Sequence, residues 1–275
     1  MQCLLSIQYH THTHTHHRYT VAVRPFSKRD EDLVCVSGAY DQELRLWSLT
    51  KGTFLGNIRK AAHAHHKSHI NAVVFSERGR KMFSGDNFGI LIVWRLNGAS
   101  NRADSFEVLR QIKDNLPGHS INTIRLRASS VVKLDTITSV TSSPEIIVLA
   151  EGSILQAHET MSPNAVSKRF AGLVNTDLAR KLSCVVSPDG RYLMAGSEDG
   201  NMYVWNTNTG EQVSHPAENV DCALLLNFKE AISDVAWCPT RHAVALCVMS
   251  SDVCADFGTS HPVLVYVAAS DSFEV

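Results

Sequence analysis

No apolar run in this chain is long enough to cross a bilayer. The longest, such as Ala243 to Met249, fall far short of the ~20 residues that a spanning helix needs. The opening Met1-Gln2-Cys3-Leu4-Leu5-Ser6-Ile7 has no basic flank and too short an apolar core for a secretory signal. Excess charge of one sign is missing as well. The net charge is −1 over 275 residues, which leaves no basic footprint for nucleic acid or an anionic membrane. The seven cysteines are scattered, without a Cys-x-x-Cys pair, so reduced thiols in a cytoplasmic setting are expected. Catalytic signatures are absent too: there is no Gly-x-x-x-x-Gly-Lys-Ser/Thr, no His-Glu-x-x-His and no Gly-x-Ser-x-Gly. The expectation is a protein that is not an enzyme and holds no cofactor and no metal.

What the chain does have is one phrase written three times. Ala195-Gly196-Ser197-Glu198-Asp199-Gly200-Asn201-Met202-Tyr203-Val204-Trp205 is the clearest copy. Ser37-Gly38-Ala39-Tyr40-Asp41 leading to Trp47, and Ser84-Gly85-Asp86-Asn87-Phe88-Gly89 leading to Trp94, are the others. The step from glycine to tryptophan is 9 residues in each. Small residues end one strand, Asp-Gly chemistry turns the chain, and a β-branched or aromatic run rises to the indole. A recurring strand–turn–strand unit of this kind reads as a WD40 repeat, which contributes four strands to one blade of a β-propeller. The fold class expected is therefore all-β: an incomplete propeller of about five blades from a seven-bladed ring.

In such a blade a buried indole N–H donates to a hydroxyl on the preceding strand. That hydroxyl meets a histidine from the entry loop, which a turn aspartate orients. Mapped onto this chain, the relay candidates are His66, Ser84 and Trp94 in the second blade, with Phe88 in the aspartate slot. In the first blade they are Ser37, Asp41 and Trp47, with His16 or His17 upstream. In the fourth they are Asp199 and Trp205, with Ala195 in the serine slot. No copy reads as complete, so apolar packing is expected to hold the blades. The turn residues Tyr40, Asn87, Phe88 and Glu198 are the candidates to face a partner, beside the simpler reading that they only turn the chain.

Taken in order, residues 1–17 hold the tract His10-Thr11-His12-Thr13-His14-Thr15-His16-His17. It reads as a disordered tail or an artefact of the reading frame before it reads as a metal site. The propeller is expected over 18–275, with blades at about 18–62, 63–112, 118–170, 178–215 and 228–270. The third is degenerate: Ser/Thr/Val-rich residues from Arg127 to Ser143 interrupt it, Ala157 falls in the tryptophan slot, and Phe170 marks its outer strand. The histidines His63, His65, His66 and His69 lie close together, but a structural place for His66 outweighs metal binding.

Four stretches resemble one family, jouberin: Gly38-Ala39-Tyr40-Asp41 through Trp47, His66-Lys67-Ser68-His69-Ile70-Asn71 through Trp94, Ala195 through Asn206 with Thr209 to Val213, and Pro262-Val263-Leu264-Val265-Tyr266. The resemblance covers most of residues 20 to 268. It implies a non-catalytic protein-interaction scaffold acting in cilium assembly at the transition zone and basal body. Its partners would be ciliary transition-zone or trafficking proteins, with no nucleic acid and no membrane insertion. The family also carries a coiled coil, two further leading blades and, in many members, an SH3 domain, so this chain reads as a fragment of that plan. Self-association through open propeller edges is a further expectation. The alternative is a generic WD40 adaptor, such as a substrate receptor of a ubiquitin ligase.

Overall fold

The computed structural model describes residues 20–25, 32–58, 65–97, 101–127, 145–159, 166–177, 181–213, 228, 230–240, 243–249 and 263–267, and the backbone alone of 131–134 and 137–140. The tract at 8–17, and with it His16, His17 and His63, lies outside the described residues. The chain divides into two compact units, Met1–Ile124 and Arg125–Val275. Among the described residues the elements are strands and one short 3-10 turn, Ala103–Ser105. No helix among them is long and apolar enough to cross a membrane.

Five sheets follow one another along the chain. The first is a meander of β1 (Thr20–Val23), β2 (Val34–Gly38), β3 (Leu44–Ser48) and β4 (Thr53–Ile58). The second is built likewise from β5 (Ile70–Phe75), β6 (Lys81–Asp86), β7 (Leu91–Leu96) and β8 (Phe106–Ile112). The third places β9 (Ile121–Arg127) beside β12 (Glu145–Ala150), followed by β13 (Ile154–Glu159) and β14 (Val166–Arg169). Between β9 and β12 the expected insertion contains a hairpin of its own, β10 (Val131–Leu134) and β11 (Ile137–Val140). The fourth sheet is β15 (Cys184–Val186), β16 (Tyr192–Gly196) and β17 (Met202–Asn206). The fifth is β18 (Ile232–Trp237), β19 (Ala243–Val248) and β20 (Val263–Val267).

Several boundaries differ from the sequence reading. The outer strand β4 went unread, because Gly56 interrupts it and its pattern is mostly polar or exposed. Phe170 is not the outer strand of the third sheet. It follows β14 and turns into the core, 3% exposed. Among the described residues the segment from Glu211 forms an isolated bridge, Gln212 to Trp205.

Within each unit the sheets bury their faces against one another by a single rule. In the first unit Val34, Val36, Leu44 and Leu46 of the first sheet meet Val73, Phe75, Met82, Ile92 and Trp94 of the second. In the second unit Ile147, Leu149, Leu155 and Ala157 of the third sheet meet Cys184, Leu193, Ala195 and Trp205 of the fourth. Met194 and Met202 on the other face of the fourth meet Ile232, Val235, Leu246 and the partly buried Tyr266 of the fifth. The later sheet always offers the face that carries the indole, or Tyr266 in its place. The earlier sheet always offers the opposite face.

That polarity corrects the register of the third sheet. Ala157 lies on the face turned to the fourth sheet, so it is not in the indole slot. His158 alternates to the other face, fully buried, and pairs across from Ile146 as Trp94 pairs across from Met82. One residue of slip exchanges the two faces of a strand.

The rule also explains the glycines of the repeated phrase. A Cβ on Gly38 would lie 2.5 Å from Cγ2 of Ile70, on Gly85 2.6 Å from Cγ2 of Ile121, and on Gly196 2.3 Å from the carbonyl oxygen of Ile232. Each isoleucine opens a later first strand, and only a residue without a side chain lets it seat. The second glycine of the phrase is different. Gly89 and Gly200 take φ of 79° and 78°, and a Cβ there would sit 1.7 Å from the carbonyl oxygens of Leu116 and Phe228. The same place in the first sheet is Gln42, left-handed at φ 68°, where an L-residue carries a conformational cost.

Candidate protein-interaction face

Beneath the β6–β7 turn of the first unit lies a continuous buried relay. Trp94 Nε1 donates to Ser84 Oγ at 2.8 Å, and Ser84 Oγ lies 2.7 Å from His66 Nε2. His66 Nδ1 lies 3.1 Å from Asp86 Oδ2. Since Ser84 accepts from the indole, its own proton is available to Nε2, which places the histidine proton on Nδ1, facing Asp86. All four side chains are 2% exposed or less. The sequence reading put Phe88 in the aspartate slot and left this relay incomplete. Asp86, two residues earlier at the end of β6, supplies the carboxylate from inside the sheet. Its other oxygen accepts from the backbone N–H of Phe88 and of Ile90, both at 2.9 Å. The relay therefore fixes the turn that carries Phe88.

The turn presents what it holds. Phe88 is 52% exposed and Tyr40, on the β2–β3 turn, 53%. Tyr40 stacks on His69 with ring centroids 3.6 Å apart. The carbonyl of His69 accepts from Asn87 N at 3.0 Å. Asn87 Oδ1 accepts from Asn71 Nδ2 at 3.4 Å, and the same Nδ2 reaches Ser120 Oγ at 3.1 Å. Two exposed rings are thus tied through His69 and Asn87 to one rigid base, with uncharged amide and hydroxyl groups alongside. This arrangement can bury apolar side chains and hydrogen-bond a main chain.

Among the described residues the first sheet shows one link of the relay. Trp47 Nε1 donates to Ser37 Oγ at 2.8 Å, but Asp41 turns away from it. One Asp41 oxygen bonds to Arg45 Nη2 and the other accepts from Glu43 N. The arginine four residues on holds Asp41 at the turn.

In the second unit the fourth sheet uses neither serine nor aspartate. Trp205 Nε1 donates to the backbone carbonyl of Ala171 at 2.9 Å, so Ala195 in the serine slot leaves nothing unmet. Asp199 instead accepts from Asn201 N and from the Tyr203 hydroxyl, 3.0 and 2.8 Å. Burial pushes the Asp199 carboxyl up, but hydrogen bonds from Ser197, Asn201 and Tyr203 outweigh it and hold it below its ordinary value. Burial, followed by the Asp199 carboxylate, raises the Tyr203 hydroxyl. Glu198 is engaged within the chain: its carboxylate takes Thr176 N, Thr176 Oγ1 and Asp177 N at 2.8–3.0 Å.

A buried ionic cluster has no local signature in the sequence, because Arg127, Glu145 and Lys168 lie far apart along the chain. Arg127 is fully buried at the end of β9. Its Nη1 reaches Glu145 Oε2 at 2.6 Å, its Nε donates to the Gly190 carbonyl, and Nη2 bonds to Asn208. Lys168 Nζ meets the other Glu145 oxygen at 2.6 Å. Burial drives the Glu145 carboxyl up, yet bonds from Lys168, Arg127 and Ser167 hold it below its ordinary value of 4.5. The one fully buried thiol among the described residues of this unit, Cys184, is pushed up to about 12 by burial, so it offers no thiolate for reaction. Among the described residues no group of three or more His, Cys, Asp or Glu is placed to hold a metal. An open cleft of about 560 Å³ lies between β4 and residues 101–104; its charged pair, Arg102 and Asp104, is exposed to water.

The WD domain, G-beta repeat, matches residues 178–206. Mouse jouberin (Mus musculus) is 26% identical over 250 residues, 90% of this chain and 21% of its own length. Rat jouberin (Rattus norvegicus) matches to the same extent. Autophagy-related protein 16 of Arabidopsis thaliana is 27% identical over 197 residues, 70% of this chain and 32% of its own. The chain thus spans about a fifth of the jouberins it matches. These likenesses support a relationship to WD40-repeat proteins and, with them, the role of a protein-interaction scaffold or adaptor. The fold class is an all-β, incomplete WD40 propeller.

Proposed function

We propose that this chain is a non-catalytic docking platform of the jouberin kind, which holds protein partners in cilium assembly at the transition zone and basal body. The observation that carries the reading is the pair of exposed rings, Tyr40 and Phe88, set on turns that a buried relay and a ring stack make rigid. Segments displayed over a stiff scaffold are where binding residues concentrate, and half-exposed aromatic side chains are the anchors interfaces favour. The partners are ciliary transition-zone or trafficking proteins, met in the cytoplasm at the cilium base. Glu198 acts in holding its own loop, so the partner-facing residues are Tyr40 and Phe88 with Asn87 between them.

The test is proximity labelling from the tagged chain in ciliated cells, beside a Tyr40→Ala/Phe88→Ala double variant. Enrichment of basal-body proteins that the double variant loses, with thermal stability kept, supports the reading. Diffuse labelling with no basal-body enrichment overturns the ciliary part. Recovery of cullin-type ligase components in its place favours the adaptor alternative.

A further inference from the structure

We propose that a second copy of this chain covers the fifth sheet, stacking its first sheet there head to tail. Three contacts inside the chain obey one polarity: the face bearing the indole or Tyr266 lies on the opposite face of the sheet before it. Two apolar faces of the described sheets are exposed, and they are of opposite kinds.

On the first sheet it is the indole face, which carries Val21, Val23 and Phe54. These are 57%, 51% and 51% exposed. On the fifth sheet it is the face turned from Tyr266. It carries Val263, Val265 and Val267 of β20 at 65%, 65% and 66%, with Ala245 across from Val265 and Ala243 across from Val267. Asp234, across from Cys247 beside Val263, borders this face, and the exposed valines are the kind of surface that interfaces bury. Each face is of the type that the other meets throughout the chain, so a copy can repeat the internal contact without a new design. Because the two faces differ, the contact is heterologous: copies add in one direction until a ring closes or a filament grows. The third strand of the fifth sheet, β20, also leaves its outer edge without a strand among the described residues, which a second chain can use.

The polarity makes the test specific. The chain is examined by light scattering and sedimentation across low to high micromolar concentration, with Val23→Glu and Val265→Glu variants checked for wild-type circular dichroism. The wild type should gain mass with concentration, and each variant alone should stay monomeric, since each lacks one of the two faces. Mixed in equal amounts, the variants should form a dimer that grows no further. A monomeric wild type at every concentration overturns the proposal. So does a mixture that stays monomeric while the wild type associates. If a charge at either site prevents folding, hydrogen exchange on the wild type decides: protection of β1 and β20 must rise with concentration, and unchanged exchange overturns the proposal.

Discussion

The second and fourth sheets carry the same phrase and satisfy its tryptophan in different ways. In the second, Trp94 begins a chain of side chains that runs through Ser84 and His66 to Asp86 and ends by fixing a turn. In the fourth, Trp205 donates a hydrogen bond to a backbone carbonyl, that of Ala171, and packs against Phe170 at 6.0 Å and Tyr203 at 5.8 Å. The spacing from glycine to indole is therefore a packing requirement first. A buried N–H must find an acceptor, but the sheet is indifferent to which one. What the relay adds in the second sheet is a rigid turn, and that turn bears an exposed ring.

The largest effect that would break this comparison is the loss of the ring itself. Trp94→Ala should cost roughly 3–5 kcal/mol, read by denaturant unfolding, because it opens a cavity and removes the donor to Ser84. An unchanged midpoint would remove the relay from the account. Next comes the contrast of the two aspartates. Asp86 is fully buried and accepts from His66, Lys67, Phe88 and Ile90. Asp86→Ala should therefore cost about 3 kcal/mol, while Asp199→Ala, at the surface, should cost on the order of 1 kcal/mol or less. Equal losses would mean that the buried chain contributes nothing beyond an ordinary turn.

The third sheet extends the contrast, since an ionic cluster stands there beside the buried His158. Glu145 is held below its ordinary 4.5 in the folded chain, so its contribution is complete above that pH and is lost as pH falls through the lower folded value. Glu145→Gln should cost about 2 kcal/mol at neutral pH and flatten the acid limb of the stability curve below about pH 4.5. An acid limb as steep as the wild type's would refute this role. The smallest effect sharpens the comparison of turns. Gln42→Gly should stabilise by about 1 kcal/mol, a small upward shift in Tm, because the backbone there is already left-handed. A lower Tm would show that the Gln42 side chain makes up for its backbone.

Much of the fold was legible because strands advertise themselves locally. β2 with β3, β5 to β7, and β16 with β17 read from alternation and from the turns between them. β4 did not, since an outer strand exposed on one side needs little apolar pattern. The relay was half legible: His66, Ser84 and Trp94 follow from spacing. Asp86 does not, because the spacing of the repeat puts the aspartate in the turn, where Phe88 stands. Arg127 and Glu145, 18 residues apart, gave no local sign. Nor did the register of β13, where one residue decides whether Ala157 or His158 faces the next sheet.

The sequence by itself determined a set of short antiparallel sheets, three of them measured out by a glycine and an indole, because strand alternation and turn chemistry are properties of neighbouring residues. Tertiary structure alone decided which acceptor each indole found, which carboxylate completed the relay, and which faces were left uncovered. Those outcomes depend on residues far apart in the chain meeting across sheets, and nothing in a local pattern fixes the distance between them.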